Sequence, residues 1–413
     1  MSTAAPAEVQ AAAVEDHSLG AILRARWTAL KSGEVGNLPV IVGIIAIALF
    51  YDSKTNIFLT AVNFQNLIGQ LAGVAVIAIG VVFVLLIGEI DLSIGYTSGV
   101  AGVVLAKLQV PASGHDFPGL IAIALALATG ASIGLVQGSL VALIGVPSFV
   151  VTLAGLLICQ AVILQQLGFQ GTIGIQDKQI NDVANYVLTK NTGWIVAIVF
   201  TVGLVGASLG TYISRRRSGL PTGNLLLTAA RVVFFGGLAF AVVAICNHAQ
   251  PRPGLPLVGL ILLFLVVLGS YVAGRTTFGR HVYAVGGNAE AARRAGINVK
   301  RIRILVFMIS GSMAAMGGII FASRLNGVDL NAGGGTILLD AISAAVIGGV
   351  SLFGGRGRVT AALFGGVIIG TISNGNDLVG YSDWLKYLIT GSILLAAVTL
   401  DTVARRRQAT VGR

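Results

Sequence analysis

Apolar stretches close in length to a membrane-spanning helix, which needs about 20 residues, recur along this chain between Gly36 and Val403. Only 10% of the 413 residues are charged, whereas an ordinary soluble domain is about a quarter charged. The chain therefore cannot cover a globule with polar side chains. The stretches are continuous rather than alternating, which excludes the strands of an outer-membrane barrel. The pattern predicts an all-α, polytopic bundle of transmembrane helices.

Twelve apolar runs are present, and each predicts one helix. They cover 36–51, 66–87, 91–108, 119–144, 149–167, 194–214, 225–247, 255–273, 304–322, 336–353, 359–373 and 384–403. Ten crossings result if two runs are re-entrant, so we expect ten to twelve spans. We divide the chain into a disordered cytoplasmic tail, 1–35, a transmembrane domain, 36–403, and a basic cytoplasmic tail, 404–413.

The basic residues indicate the orientation of the bundle. Placing the N-terminus inside puts 20 of the 27 Lys and Arg residues on the inner side, as the positive-inside rule requires; this count includes Arg231, which can snorkel from the end of its helix. Both termini are therefore expected to be cytoplasmic. The net charge of +11 is explained by this topology, so we expect contact with the bilayer and no nucleic-acid partner. The long polar segment outside, 168–193, is either a solvated connector or a docking or gating segment.

The polar segment 274–303 is the longest strongly charged run between apolar ones. It holds seven basic residues and a single acid, Glu290. Within it, Asn288 to Gly296 has the pattern of a short helix, with Asn288 as N-cap and Gly296 as a left-handed C-cap. Glu290 also lies at i+3 and i+4 spacing from Arg293 and Arg294. A helix this short is not stable alone in water, so it needs a surface to lie against.

A second polar break, residues 88–95, reads GEIDLSIG. Carboxylates near membrane depth normally face a cavity, a partner or the interface, which makes Glu89 and Asp91, with Ser93, candidates for a transport path or gate. The alternative is a tight cytoplasmic hairpin in which Asp91 caps the following helix. Asp340, the lone acid of another small-residue run, is the fourth candidate.

Catalytic and cofactor motifs are missing from the sequence. It has no HExxH and no glycine-rich loop ending in GK[ST] that could bind a nucleotide phosphate. Its two cysteines lie in apolar runs without metal-binding or disulfide spacing. We therefore expect no enzyme activity, metal or cofactor, and any ATP hydrolysis must come from another polypeptide.

Three segments together resemble a known family. GEIDLSIG, YAVGGNAEAARRAGINVKRIR and LLDAISAAVIGGVSLFGGRGRV, in this order, resemble the permeases of bacterial carbohydrate ABC importers, the ribose/xylose group. The resemblance covers most of the chain, from about 66 to 403. The chain's length makes it more similar to the xylose-type permeases than to the shorter ribose-type ones.

This resemblance implies a multi-pass permease of the bacterial inner membrane that forms a homodimer. Its expected partners are cytoplasmic ATP-binding subunits and a periplasmic sugar-binding protein. The segment 284–297 matches the family's cytoplasmic coupling region. The residues carried over to the ATPase-coupling loop are Gly286, Gly287, Asn288, Glu290, Ala291, Ala292, Arg293 and Gly296.

The resulting hypothesis is the membrane-spanning subunit of an ATP-driven importer for xylose or a related monosaccharide. The alternative is a stand-alone secondary transporter driven by an ion gradient. Such proteins keep ionisable residues near the midplane, and Glu89, Asp91 and Asp340 could serve as those residues.

Overall fold

The computed structural model describes residues 38–110, 116–168, 171–220 and 224–411. The predicted tail 1–35 lies outside them. The described residues are almost entirely helical, which confirms the predicted fold class. The helices are α1 (Leu38–Thr55), α2 (Ala61–Leu86), α3 (Ile94–Lys107), α4 (Gly119–Ser139), α5 (Ser148–Leu167), α6 (Lys178–Asn185), α7 (Lys190–Arg217), α8 (Leu225–Asn247), α9 (Leu257–Arg275), α10 (Thr277–Gly287), α11 (Ala289–Arg294), α12 (Val299–Leu325), α13 (Ile337–Ile347), α14 (Thr360–Val379) and α15 (Asp383–Val411). A π-helical turn, Leu140–Ile144, extends α4.

Seven of the helices in the described part are long and apolar enough to cross a membrane: α2, α4 with its π-helical extension, α5, α7, α8, α9 and α12. Two predicted runs form shorter helices. The run 91–108 yields α3, with 14 residues, and the run 336–353 yields α13, with 11 residues. At 1.5 Å per residue α13 is about 16 Å long, roughly half the thickness of a bilayer core. The number of crossings, ten to twelve, stays a prediction.

The chain divides into two compact units. The smaller unit contains 194–243, that is most of α7 and α8, together with Leu38 and Pro39 at the start of the described residues. Within it the rings of Trp194 and Phe240 stack with their centroids 5.9 Å apart. Apolar side chains such as Ile195, Val199 and Val233 are exposed on these helices, as expected of surfaces that face lipid.

The larger unit, 40–193 and 244–413, is organised around α2 and α12. Glycines allow its helices to approach closely, as the sequence predicts. Gly130 and Gly134 of α4 lie against the backbone of Gly311 and Phe307 in α12. Such small-residue contacts stabilise helix pairs in membranes, where lipid provides no hydrophobic force between helices. Both cysteines of the apolar runs are buried.

The described part of the polar segment, 171–193, contains regular secondary structure, and the choice between a solvated connector and a docking or gating segment stays a prediction. This part contains strand β1 (Thr172–Gly174), which pairs antiparallel with β2 (Gly327–Asp329). Helix α6 follows, with Asp177 accepting the N–H of Ile180 as its N-cap. The Asn185 side chain donates to the carbonyl of Ser323 at 2.7 Å, which fixes α6 to the end of α12.

Helix α2 connects two distinct ends of the larger unit. Near its start, Asn63 exchanges two hydrogen bonds with Asn374 of α14, at 2.8 and 2.9 Å. At its end, Leu86 accepts the N–H of Gly355 at 2.9 Å. Because α2 has 26 residues, these ends are about 39 Å apart along its axis. Features close to Leu86 and features close to Asn63 therefore lie on opposite faces of the membrane.

Candidate functional site

Helix α11, in the middle of the charged segment, begins as its sequence predicts. Asn288 takes an extended backbone conformation, and its side-chain oxygen accepts the N–H of Ala291 at 2.9 Å. This bond satisfies one of the N–H groups that a helix leaves without partner at its start. The predicted N-cap is confirmed.

The end of α11 is equally well defined. Gly296 has φ = +84°, the left-handed conformation that favours glycine. Its N–H binds the carbonyl of Arg293, and the next N–H, of Ile297, reaches back to Ala292, both at 3.0 Å. These two bonds form a Schellman motif, which closes the helix. The predicted C-cap at Gly296 is confirmed.

One side of α11 is packed and the other is exposed. Ala292 is buried, whereas Glu290, Ala291 and Arg293 are exposed. Glu290 forms ion pairs with Arg293 at 2.7 Å and Arg294 at 3.2 Å. The Arg293 guanidinium first, and then that of Arg294, lowers the pKa of the Glu290 carboxyl. Exposed pairs of this kind add little stability. The exposed face of α11 therefore carries charges that are not needed to hold the helix together.

A second helix of the same segment, α10, was not predicted. It starts after Thr276, whose hydroxyl accepts the N–H of Gly279 at 3.1 Å. Its inner face carries Val282 and Val285, both buried. Apolar residues at i, i+4 and i+7 from Phe278, after a threonine cap, are signals that reveal such a helix. Helix α10 ends at Gly287 and leads directly into α11.

The three glycine-containing segments that carry the family resemblance meet at the end of α10. A Cβ atom on Gly286 would collide with the carbonyl oxygen of Leu86 and lie 2.7 Å from the backbone nitrogen of Gly355. A Cβ on Gly354 would lie 2.8 Å from the Gly286 oxygen and 2.9 Å from the nitrogen of Gly88. We call these five residues the glycine junction. It joins α10 to the end of α2 and to the turn before α14 without intervening side chains.

Side-chain contacts reinforce the junction. The Tyr283 hydroxyl donates to the carbonyl of Gly357 at 2.8 Å. Partial burial raises the pKa of Tyr283, although nearby Arg358 opposes the rise, so the phenol remains a proton donor at neutral pH. Gly287, in contrast, has no atom within 4 Å of the place where its Cβ would be. Only one of the two adjacent glycines is therefore required for packing.

Glu89 lies just beyond the junction and is paired. Its carboxylate oxygen is 3.1 Å from the Arg303 guanidinium, and both side chains are largely shielded from solvent. Arg303 belongs to the first turns of α12, so the ion pair joins the end of the charged segment to the break after α2. The polar break is thus connected to the coupling segment by charge as well as by backbone contact.

Asp91 occupies a buried hydrogen-bond network. One carboxylate oxygen accepts from the Ser93 hydroxyl at 2.7 Å and from the Ser93 N–H at 3.0 Å. The other accepts from Ser310 of α12 at 2.9 Å. Gln137 of α4 donates to the Ser93 hydroxyl at 2.9 Å. Asp91 and Ser93 therefore connect three helices, and this geometry favours a structural role over a lining of the transport path.

One alternative for residues 88–95, a tight hairpin in which Asp91 caps the following helix, is confirmed in its capping contact. Ser93 holds the N-cap position of α3 but its side chain makes no capping bond, whereas the Asp91 carboxylate accepts the Ser93 N–H at 3.0 Å. Asp91 is only 7% exposed. Arg303 and Ser310 lie about 6 and 16 Å along α12 from its start. The contacts of Glu89 and Asp91 with these residues therefore indicate that the chain runs inward before α3 begins.

Asp340 is far from the other candidates. It lies in the first turn of α13, is 8% exposed, and accepts from the Thr336 hydroxyl at 2.6 Å. It lines a cavity together with residues near the end of α14, on the Asn63 face of the larger unit. The structure thus places the eight predicted coupling residues on and beside α10 and α11, and Glu89 in an ion pair with Arg303. Asp91 and Ser93 lie in a buried network, and Asp340 lies in a cavity on the opposite face.

Comparison with known proteins identifies the family. The protein-family model described as "Branched-chain amino acid transport system / permease component" matches residues 63–398. This range includes the glycine junction, the Asp91 network and the cavity. The chain belongs to this family of permease components. No solved structure matches the permease.

The permease is also similar to named transport proteins. It is 35% identical over 382 residues to the xylose transport system permease protein of Escherichia coli K12, covering 92% of this chain and 95% of that protein. The corresponding protein of Haemophilus influenzae is 33% identical over 375 residues, covering 90% and 98% of the two chains. The ribose import permease protein of Escherichia coli K12 is 31% identical over 361 residues, covering 87% and 91%.

The length of these matches confirms that the permease is a multi-pass inner-membrane protein of the sugar-importer type. The predicted coupling residues lie together on α10 and α11 and in the turn that follows. The sequence did not reveal their packing partners Leu86 and Gly355, because a contact between backbones leaves no signal in side-chain chemistry.

Proposed function

We propose that this permease is the membrane-spanning subunit of an ATP-driven importer that carries xylose or a related monosaccharide. The observation that supports this most strongly is the similarity along almost the whole chain to permeases named for xylose and ribose transport. The family description names branched-chain amino acids, but the relatives at 31–35% identity are named for sugars. A monosaccharide is therefore the substrate class that we assign.

ATP hydrolysis in this system belongs to separate cytoplasmic subunits, and a periplasmic protein delivers the sugar. The permease contributes the coupling surface. Helix α11 is closed at both ends by caps and is attached through α10 to the glycine junction, so a force on its exposed face moves one compact body. Rigid-body movement of this kind is a common way to switch access in transport proteins.

Reconstitution in lipid vesicles tests the assignment. The permease is inserted alone, or together with the ATPase and the sugar-binding protein encoded beside it, and uptake of labelled D-xylose, D-ribose and leucine is measured. We expect sugar uptake only with ATP and both partners. Uptake by the permease alone under a proton gradient would favour a secondary transporter, and uptake of leucine alone would reassign the substrate.

The coupling role of α11 is tested with a matched pair of variants at one residue. Gly296→Val places a β-branched residue at φ = +84°, which costs at least about 1–2 kcal/mol, whereas asparagine tolerates this conformation. We expect Gly296→Val to abolish uptake with normal membrane insertion, and Gly296→Asn to retain it. Glu290→Lys, which places three basic residues on the exposed face, should also block uptake. Normal sugar-stimulated ATPase activity in Gly296→Val and Glu290→Lys would contradict the proposal.

The orientation of the chain follows from the same proposal. Both termini and α11 lie in the cytoplasm, and the segment with β1 and α6 lies outside. Single cysteines in place of Lys178 and Arg293, both highly exposed, should react with an impermeant thiol reagent from the outside and from the inside of cells, respectively. Reaction of both from the same side would refute this topology.

We also propose that two copies of the permease associate, as the resemblance implies. The mass of the purified protein, measured by light scattering with the detergent contribution subtracted, should equal two chains of 42.3 kDa. A mass of one chain in lipid nanodiscs as well as in detergent would contradict a homodimer.

A further inference from the structure

The cavity that contains Asp340 has the features of a ligand site. It has a volume of about 270 Å³ and lies among the start of α13, the second half of α14 and the first turns of α15. Small-molecule pockets usually measure about 300–1,000 Å³, so this cavity suits a compact ligand. Because it is on the Asn63 face, it is at the end of the bundle opposite to the glycine junction.

Two deeply buried polar side chains present unused hydrogen-bonding atoms there. Thr336 binds one oxygen of Asp340, and no residue that the structure describes donates to the other oxygen. Asn376 is 1% exposed, and its carbonyl oxygen accepts from the Tyr51 hydroxyl at 2.6 Å. Its NH₂ group has no acceptor among the described residues. Buried polar groups are normally satisfied, so a ligand with donors and acceptors fits this pair.

The Asn376 side chain is held from behind. Tyr51 of α1 closes over Gly375, where the ring leaves no room for a Cβ atom. The Asn63–Asn374 amide pair fixes the preceding turn of α14. This packing holds Asn376 at the wall of the cavity, and the hydrogen bond from Tyr51 uses its carbonyl oxygen, which leaves the NH₂ group available to a ligand. Pre-organisation of this kind lowers the cost of binding.

The other lining groups also favour a neutral, hydroxyl-rich ligand. Asp377 is paired with Lys386 at 2.8 Å, which balances both charges. Ser373 and Thr390 add hydroxyls, and Tyr387 adds an aromatic ring. Hydroxyl groups can donate to the free Asp340 oxygen and accept from Asn376.

We propose that this cavity is a monosaccharide-binding site of the permease itself, with Asp340 and Asn376 as its principal ligands and Tyr51 as a positioning residue. The inference rests on the proposed function for its substrate class, and it adds a site at which sugar is held on the side opposite to the ATPase subunits. Sugar released there from a binding protein would meet matched hydrogen-bond partners before it crosses the membrane.

Protection from thiol labelling tests the site on the full-length permease alone in lipid nanodiscs. Ser373→Cys, which is exposed and lines the cavity, and Thr390→Cys on the facing helix serve as reporters. The buried native cysteines provide the background rate. We expect saturating D-xylose to slow labelling of both reporters at least fivefold. Leucine should not change their labelling rates, and Lys178→Cys should react equally with and without sugar. Equal labelling rates with and without D-xylose and D-ribose, or protection by leucine alone, would overturn the proposal.

Variants separate direct contact from positioning. In the Ser373→Cys background, Asp340→Asn keeps the Thr336 bond but removes the charge, and should raise the D-xylose concentration for half-protection about tenfold. Tyr51→Phe removes only the hydroxyl that holds Asn376 and should raise the D-xylose concentration for half-protection about fivefold. Asp182→Asn, at an exposed carboxylate of α6, is the matched control and should not change it. Unchanged half-protection in both cavity variants would show that protection arises elsewhere.

The two proposals fail separately. If vesicles with both partners take up D-xylose but sugar does not protect the reporters, the cavity is not a sugar site and the proposed function stands. If both partners are present and no sugar enters, the proposed function is wrong, whereas protection by D-xylose would still support the site.

Discussion

Gly286→Ala is the sharpest test of the glycine junction. The added methyl would overlap the carbonyl oxygen of Leu86 and lie 2.7 Å from the nitrogen of Gly355. Since all the nearby atoms belong to backbone, no side chain can rotate away. One of the three chain segments must move, and the hydrogen bond of 2.9 Å from Gly355 to Leu86 is lost when it does.

The expected cost follows from these contacts. Overpacking of a close contact costs about 1–3 kcal/mol, and loss of a hydrogen bond costs about 1 kcal/mol. The docked arrangement of α10 should therefore lose about 2–4 kcal/mol, which lowers its population relative to undocked forms roughly 30-fold to several-hundred-fold. Gly287→Ala is the matched control, because no atom lies within 4 Å of its Cβ position and alanine favours a helix by about 0.5–1 kcal/mol.

Both variants are compared in vesicles that contain the ATPase and the sugar-binding protein. We expect Gly286→Ala to insert normally, to unfold at a lower temperature and to lose most ATP-driven sugar uptake. Gly287→Ala should unfold at the same temperature as the unaltered protein or slightly above it. Equal uptake and equal thermal stability for the two variants would refute the conclusion that the junction carries the coupling segment.

The remaining predictions concern charge. Asp91→Ala removes the acceptor of the Ser93 and Ser310 hydroxyls and should lower the free energy of unfolding by about 1–3 kcal/mol. The loss is measured as a lower unfolding temperature in detergent. Asp182→Asn should leave the unfolding temperature unchanged. Glu290 has a lowered pKa, so its ion pairs stabilise α11 fully above the ordinary value of 4.5 and are lost as the pH falls through the lowered value. The protection factors of the α11 amides, which are exchange rates corrected for the intrinsic effect of pH, should therefore fall in acid, and Glu290→Gln should remove this dependence. Protection factors that do not change with pH would contradict it.

The sequence predicted the features that local side-chain chemistry determines. Helix α11 was predicted with both caps because Asn288 and Gly296 are chemically suited to those positions. The apolar runs predicted the long helices because burial in lipid requires an uninterrupted apolar surface. The position of Asp91 could not be predicted, since its partners Gln137 and Ser310 are brought close only by the packing of α4 and α12.

Half-length helices were the main source of error. The run 336–353 is mostly apolar, with Asp340 as its single charge, but its later part forms the turn that reaches the junction, and only α13 is helical. Hydropathy alone does not distinguish a helix from irregular chain that is enclosed by protein at the same depth. For the same reason, the cavity near Asp340 could not be predicted from the order of residues along the chain.

The glycine junction also limits how this protein can be engineered. Exchanging α10 and α11 for the corresponding segment of a different transporter is an obvious way to redirect the permease to another ATPase. The donor segment, however, must meet two main-chain surfaces, the end of α2 and the turn at Gly354, whose spacing no side-chain substitution can adjust. A functional chimera therefore requires all three pieces from one parent, and compensating mutations elsewhere cannot replace the missing two.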